Sequence, residues 1–247
     1  MDKLIVLPGN GTAVFLGDTH GDYKTVRIII KNFIAKKDHF VILLGDYVDR
    51  GEESRKNIDF LIQTQKEHPN LILLAGNHEM FPLRECSPSD FWDTLENEDF
   101  ERYKNFFSNL PLAVEGDGFM ALHAALPDIE KMEDINGIQP CDENWTRILW
   151  GDFRDKQGDY LGDFLGRPKF GKDYFSRVME KLDKNVLLRS HDPTAPEKMF
   201  ENRCLTIFTS SAYGPRKRKI ALCNLARRME SIDDIDIISL DAQEVTI

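Results

Sequence analysis

Across the first hundred residues, short apolar runs alternate with stretches where apolar side chains return every three or four positions. Residues 13–16, 40–44 and 71–75 are apolar runs of strand length, each closing on Gly-Asp or Gly-Asn. Between the first two, Val26, Ile29, Ile30, Phe33 and Ile34 fall on one face of a helix. Ile58, Leu61 and Ile62 mark a second helix, which Pro69 stops. Strand, helix, strand, helix, strand at this spacing predicts a βαβαβ unit. Strands apolar on both faces belong in a parallel sheet covered by helices.

The second half carries more strand signals, at 119–122, 186–188, 204–208, 219–223 and 235–240. Helices are expected over 91–108 and 174–181. Two long loops are expected as well, an acidic one at 127–143 and one at 151–171 that holds five glycines. Loops of this length inside a folded unit are usually functional or flexible. No repeat or linker composition interrupts the pattern, so residues 1–247 read as one domain.

Composition narrows the partners more than the fold. The 247 residues are 41% hydrophobic and 30% charged, enough apolar material for a sizeable core. The net charge of -10 opposes a phosphate backbone, so nucleic acid is not an expected partner. A phosphorylated substrate would need a local cluster of cations within this acidic whole. No stretch approaches the roughly 18 apolar residues of a membrane span, so no membrane partner is expected. The N-terminus shows no secretion signal, and Cys86, Cys141, Cys204 and Cys223 form no CxxC pair. Both point to a reducing, cytoplasmic setting. Oligomeric state is not readable from these features.

The chemistry sits where the three apolar runs end. Gly17-Asp18-Thr19-His20-Gly21, Gly45-Asp46-Tyr47-Val48-Asp49-Arg50-Gly51 and Gly76-Asn77-His78-Glu79 follow them in turn. Carboxyl ends of parallel strands line one edge of a sheet, and ligands bind there. Aspartate, asparagine and histidine together suit first-row divalent ions better than calcium. A carboxylate at Asp46 could bridge two such ions, and two metals roughly 3.5–4 Å apart can hold a bridging hydroxide for phosphoryl transfer. His39 and His68 precede apolar strands and are expected at the surface.

These clusters resemble the GDxHG, GDxxDRG and GNHE signature of the metallophosphoesterases. The form GDYVDRG is that of the serine/threonine phosphoprotein phosphatases, the PPP class. The similarity extends through Leu122-His123-Ala124, Leu149-Trp150-Gly151-Asp152, Arg167 with Phe170-Gly171, Arg189-Ser190-His191 and the stretch ending at Tyr213. It covers about residues 12 to 240. Ala124-Ala125 and Ser211-Ala212-Tyr213-Gly214 depart from the family pattern, but neither change falls on a metal ligand.

The resemblance implies an α/β four-layer sandwich, two mixed sheets flanked by helices with a dimetal site at the strand C-terminal edge. It implies one ion on Asp18, His20 and Asp46, and a second on Asp46, Asn77, His123 and His191. Mn²⁺ is the first expectation, with iron or zinc as alternatives. His78 would be the general acid, oriented by Asp49, and the carboxylate would keep its imidazole protonated. Arg50, Arg167 and Arg189 would bind phosphoryl oxygens, with Tyr213 at the edge. The implied activity is hydrolysis of phosphoserine and phosphothreonine in proteins or peptides by direct attack of the hydroxide. A dinucleoside polyphosphate hydrolase, or another metallophosphoesterase such as a cyclic-nucleotide phosphodiesterase, is the alternative. A non-catalytic scaffold should lack a ligand, and none is missing. The basic run Arg216-Lys217-Arg218-Lys219 reads either as a solvated hairpin flank or as an attractor of acidic phosphopeptides.

Overall fold

Strand β1 (Leu4–Val6) is followed by β2 (Thr12–Leu16), helix α1 (Tyr23–Phe33), β3 (His39–Leu43), α2 (Ser54–Glu67) and β4 (Leu71–Leu73). In this computed structural model, which describes residues 2–214 and 218–240, β2, β3 and β4 pair in parallel, forming the expected βαβαβ unit. All five residues of the α1 stripe are buried. The Asp22 side chain caps the helix by accepting from the backbone N–H of Thr25 at 3.3 Å. Helix α2 ends one residue short of His68, whose backbone turns extended ahead of Pro69.

The chain continues through α3 (Asn97–Phe107), β5 (Ala113–Gly116), β6 (Phe119–Leu122), α4 (Glu143–Trp150), β7 (Asp152–Phe153), β8 (Tyr160–Phe164), β9 (Arg167–Phe170) and α5 (Lys172–Lys181). It closes with β10 (Val186–Arg189), β11 (Lys198–Met199), β12 (Cys204–Thr206), β13 (Lys219–Asn224) and β14 (Ile235–Ser239). One mixed sheet has the order β14-β13-β2-β3-β4, and a second runs β1-β5-β6-β10-β12-β11. The two face each other. Ala13 and Phe15 of β2 share a core cluster with Val114, Ala121, Val186 and Leu188, and the rings of Phe15 and Phe119 meet edge to face at 6.0 Å. Val14 and Leu16 point the other way, into the cluster that also holds the stripes of α1 and α2. On the far side Met120 and Leu187 join that cluster with Trp145 of α4 and Phe175 of α5. Helices, sheet, sheet, helices is the layering the resemblance implied.

The structure revises several boundaries. Residues 151–171 are not a plain loop: β7, β9 and β8 form a small third sheet. Its strands are mostly half-exposed, so no apolar run announces them. The acidic loop carries a 3-10 helix at Met132–Gly137. The helix expected over 91–108 starts only at Asn97, because Glu96 is extended and Trp92–Thr94 forms a separate 3-10 turn. Strands β1 and β5 and helix α4 were not anticipated, although Trp145, Ile148 and Leu149 do keep helical spacing and are buried.

Candidate functional site

The carboxyl ends of five strands, β2, β3 and β4 from one sheet and β6 and β10 from the other, deliver the site. Asp18 and His20 follow β2, Asp46 and Asp49 follow β3, and Asn77 and His78 follow β4. His123 comes directly after β6, and His191 two residues after β10. The backbone knits these turns together. The N–H groups of Thr19 and His20 both donate to the carbonyl of Asp46, at 3.0 and 2.9 Å, and that of Ser190 donates to His123 at 3.0 Å. Glycine is required where the turns touch. A Cβ on Gly17 would lie 2.0 Å from the carbonyl oxygen of Ile207, and one on Gly76 would lie 2.4 Å from the amide of Asp46. His20, Asp46, Asp49, Arg50 and His191 all have positive φ. Left-handed backbone at non-glycine residues costs energy and persists where surrounding contacts enforce it.

Two clusters of donors share Asp46. In the first, His20 donates its Nδ1 proton to the carbonyl of Val48 at 2.7 Å, which turns Nε2 towards Asp18 Oδ2 (3.7 Å) and Asp46 Oδ2 (3.6 Å). That Nε2 is buried and has no hydrogen-bond partner. In the second, His123 Nδ1 donates to the carbonyl of Leu44 at 2.8 Å. Its Nε2 then faces Asp46 Oδ1 at 3.5 Å, Asn77 Oδ1 at 3.1 Å and His191 Nδ1 at 3.0 Å, while His191 Nδ1 lies 2.9 Å from the same Asn77 oxygen. Three acceptor lone pairs converge there, and His191 Nδ1 can supply at most one proton between them. A cation resolves this crowding, and hydrogen bonding does not. Asp46 turns one oxygen to each cluster, the geometry of a bridging ligand.

Burial sets the charges. It drives the pKa of His20, His123 and His191 well down, so each imidazole is neutral, as coordination requires. It also drives Asp46 well up and Asp18 to about 6, so the carboxylates are costly as anions unless a cation sits between them. Unpartnered His20 Nε2, crowded acceptors and strained carboxylates all fit two divalent ions.

His78 Nδ1 lies 2.6 Å from Asp49 Oδ2, and the other Asp49 oxygen accepts from the N–H of Phe91 at 2.8 Å. The backbone N–H of His78 donates to Asp46 Oδ1, and Trp92 donates its indole proton to the carbonyl of His78. The expectation of an imidazolium needs correction. Burial, reinforced by Arg50, pushes His78 down to about 3, and burial pushes Asp49 up to about 7. Both shifts favour the neutral pair, in which Asp49 carries the shared proton and donates it to Nδ1, leaving the imidazole's own proton on Nε2. The His78 ring also falls within 4.8 Å of the donor atoms of His20 and Asp46, as a further donor beside Asp18 in the first cluster.

A cavity of about 260 Å³ opens over these residues, lined by Asp46, Asn77, His78 and His191 on its floor and by Arg50, Arg167 and Tyr213 around it. Arg167 is gripped by Asp152, Nη2 to Oδ1 at 2.7 Å and Nε to Oδ2 at 3.2 Å. Asp152 belongs to the Leu149-Trp150-Gly151-Asp152 stretch, and no sequence signal announces this grip. Tyr213, expected at the edge, donates to Asp18 Oδ2 at 3.1 Å, and Arg50 lies over its ring. Arg189 departs from expectation. It is fully buried, does not line the cavity, and packs over Phe153 with its guanidinium nitrogens unpartnered. Glu79 accepts from the N–H groups of Asp46, Tyr47 and Gly76 and so fixes the turns after β3 and β4. His39 and His68 are half-buried and stand outside the site.

Of the basic run, Arg216 and Lys217 lie outside the described residues. Arg218 is buried against Asp22 and Thr25, and Lys219 pairs with Glu197, so this half is not a solvated flank.

A protein of Encephalitozoon cuniculi, named a probable serine/threonine-protein phosphatase, is 26% identical over 229 residues. That match takes in 86% of this chain and 50% of the relative, so the chain spans about half the length of that curated protein. Among solved structures, a protein serine/threonine phosphatase from Saccharomyces cerevisiae with similarity to human phosphatase PP5 superposes with a TM-score of 0.81 at 21% identity. It covers 98% of this chain and 85% of its own. A cold-active protein-tyrosine phosphatase of a psychrophilic Shewanella species superposes at 0.60 with 17% identity, covering 96% and 82%. Residues 11–195 match the calcineurin-like phosphoesterase family model, and the chain belongs to that family.

Proposed function

We propose that this protein is a metal-dependent serine/threonine phosphatase that hydrolyses phosphate monoesters on proteins or peptides. The observation that carries the reading is one cavity lined by His78, itself paired with Asp49, together with Arg50, Arg167 and the donors Asp46, Asn77 and His191. Two divalent ions held by Asp18, His20, Asp46, Asn77, His123 and His191, with Mn²⁺ the first choice, would supply a deprotonated water at neutral pH and Lewis-acid charge. The protein's own groups do the rest. Arg50 and Arg167 bind and orient the phosphoryl oxygens, since planar guanidinium forks meet phosphate in pairs. His78 Nε2 gives its proton to the departing serine or threonine oxygen, and Asp49 passes its proton to Nδ1 as it does so.

A thiol nucleophile is not supported. Cys86 lines the cavity, but burial pushes it up to about 12, so it is no thiolate at neutral pH. The name of the Encephalitozoon relative supports serine/threonine substrates, and the four free cysteines support a cytoplasmic setting. No helix among the described residues is long and apolar enough to cross a membrane.

The test is Mn²⁺-dependent turnover of a phosphothreonine peptide beside diadenosine tetraphosphate and a phosphotyrosine peptide. Fastest hydrolysis of the phosphothreonine peptide is expected. Preference for the dinucleotide would move the protein to the alternative activity.

A further inference from the structure

One wall of the catalytic cavity is announced by no motif. The turn between β8 and β9 brings Leu165 to its rim, where the side chain is 85% exposed, and the neighbouring Phe164 is 60% exposed. Leu165 lines the same cavity as Arg50, Arg167 and His78. Scattered exposed apolar residues need no explanation, but an exposed leucine lining a polar cavity, with an exposed phenylalanine next to it in the chain, marks a contact surface.

The turn is also fixed in place. Arg84 donates from Nη2 to the carbonyl of Gly166 at 2.6 Å, and its guanidinium lies 4.6 Å from the ring centre of Trp150. Asp163 Oδ1 accepts from the N–H of Gly166 at 2.7 Å and closes the turn from inside. A Cβ on Gly166 would lie 2.1 Å from Arg84 Nη2, so the latch needs glycine there. The next residue, Arg167, is anchored by Asp152. The apolar rim is therefore held at a set distance from a phosphate ligand by guanidinium contacts on both sides of Gly166.

We propose that this turn reads the substrate: with a phosphorylated residue in the cavity, Leu165 and Phe164 cover an apolar side chain immediately next to it, and Arg84 is the positioning residue that holds them there. The inference rests on the phosphopeptide reading above. Leu165 lines the same cavity as Arg50 and Arg167, so a peptide whose phosphate reaches them has this rim beside its adjoining residue. The wall is ordered before binding, so little entropy is lost when it is covered. A single apolar contact of this size discriminates by about tenfold. Because it lies away from the reacting atoms, the difference should appear in KM.

The experiment compares, in the Mn²⁺-loaded full chain, kcat/KM for phosphoserine peptides that carry leucine or serine directly before or directly after the phosphoserine. The readout is the leucine-to-serine ratio within each enzyme. The wild type should favour leucine by about tenfold on one side, through KM. In Leu165→Ser with Phe164→Ser the ratio should fall to near one. Arg84→Met should lower it, and Arg84→Lys, which can still donate to Gly166, should restore part of it. A wild-type ratio near one on both sides, or an unchanged ratio in the double variant, overturns the proposal while leaving the phosphatase reading intact. Turnover of p-nitrophenyl phosphate with no turnover of any peptide overturns the phosphopeptide reading, and this proposal with it.

Discussion

His78 Nδ1 and Asp49 Oδ2 are 2.6 Å apart, both residues are buried, and the second Asp49 oxygen is held by the N–H of Phe91. The carboxyl is thus fixed at both oxygens and can only face the ring. With the proton of the pair on Asp49, the ring's remaining proton points from Nε2 into the cavity. His78→Asn should lower kcat by roughly 10²–10⁴-fold, the range for loss of a general acid, with little change in KM. Metal analysis of the same variant separates two roles. Two ions per chain retained means His78 acts as the acid, and one ion lost means it is a further ligand beside Asp18, His20 and Asp46.

The guanidinium groups divide by position. Arg50 and Arg167 line the cavity, whereas Arg189 is buried over Phe153 and does not line it. A charge-assisted hydrogen bond contributes about 1.5–3 kcal/mol, so Arg50→Ala and Arg167→Ala should each weaken inhibition by inorganic phosphate about ten- to a hundredfold. Arg189→Met should leave that constant within about twofold, because its nitrogens do not reach the cavity. Competitive phosphate inhibition measured on the three variants decides this. A large effect at Arg189 would restore the role its motif implied.

The reach of the sequence differed by element for physical reasons. Strands β2, β3 and β4 were legible because both of their faces are buried, which forces continuous apolar runs. The same runs end at the carboxyl edge, so the metal-type residues announced themselves by position. His123 and His191 came only through resemblance, since each follows a single short strand on the other sheet. The small β7-β9-β8 sheet was hidden because Tyr160, Phe164 and Leu165 stand in solvent and Gly162 and Gly166 break any alternation. Arg189 misled for a different reason. Its motif places it two residues from His191 in sequence, but β10 ends at Arg189 and His191 turns away with a positive φ, so the two side chains do not share a strand face.

Asp18 and Asp46 are buried carboxylates whose pKa burial raises, to about 6 for Asp18 and well above the ordinary value for Asp46. Divalent ions between them remove that cost only in the folded chain. Mn²⁺ should therefore raise the thermal midpoint in a concentration-dependent way, adding about 2.7 kcal/mol of stability at a hundred times its Kd. EDTA should abolish both the stabilisation and the turnover. Asn77→Ala, which removes one oxygen from the second cluster, should shift the Mn²⁺ dependence to higher concentration in calorimetric scans.

Asp152, which also lies 3.6 Å from Arg154 Nη2, makes contacts of different kinds. It grips Arg167 through both oxygens and lies 3.8 Å from His191 Nε2. If its work is to aim Arg167 at the phosphate, removing it after Arg167 is gone should change little. A double-mutant cycle on kcat/KM for a phosphothreonine peptide measures this. Asp152→Ala and Arg167→Ala alone should each cost about ten- to a hundredfold, and the double variant should be no worse than the poorer single one. Additive losses would instead assign Asp152 an independent action on His191, through orientation of that imidazole. Metal content tells the two apart once more: the arginine route leaves Mn²⁺ affinity unchanged, whereas an effect through His191 lowers it by about 10–100-fold.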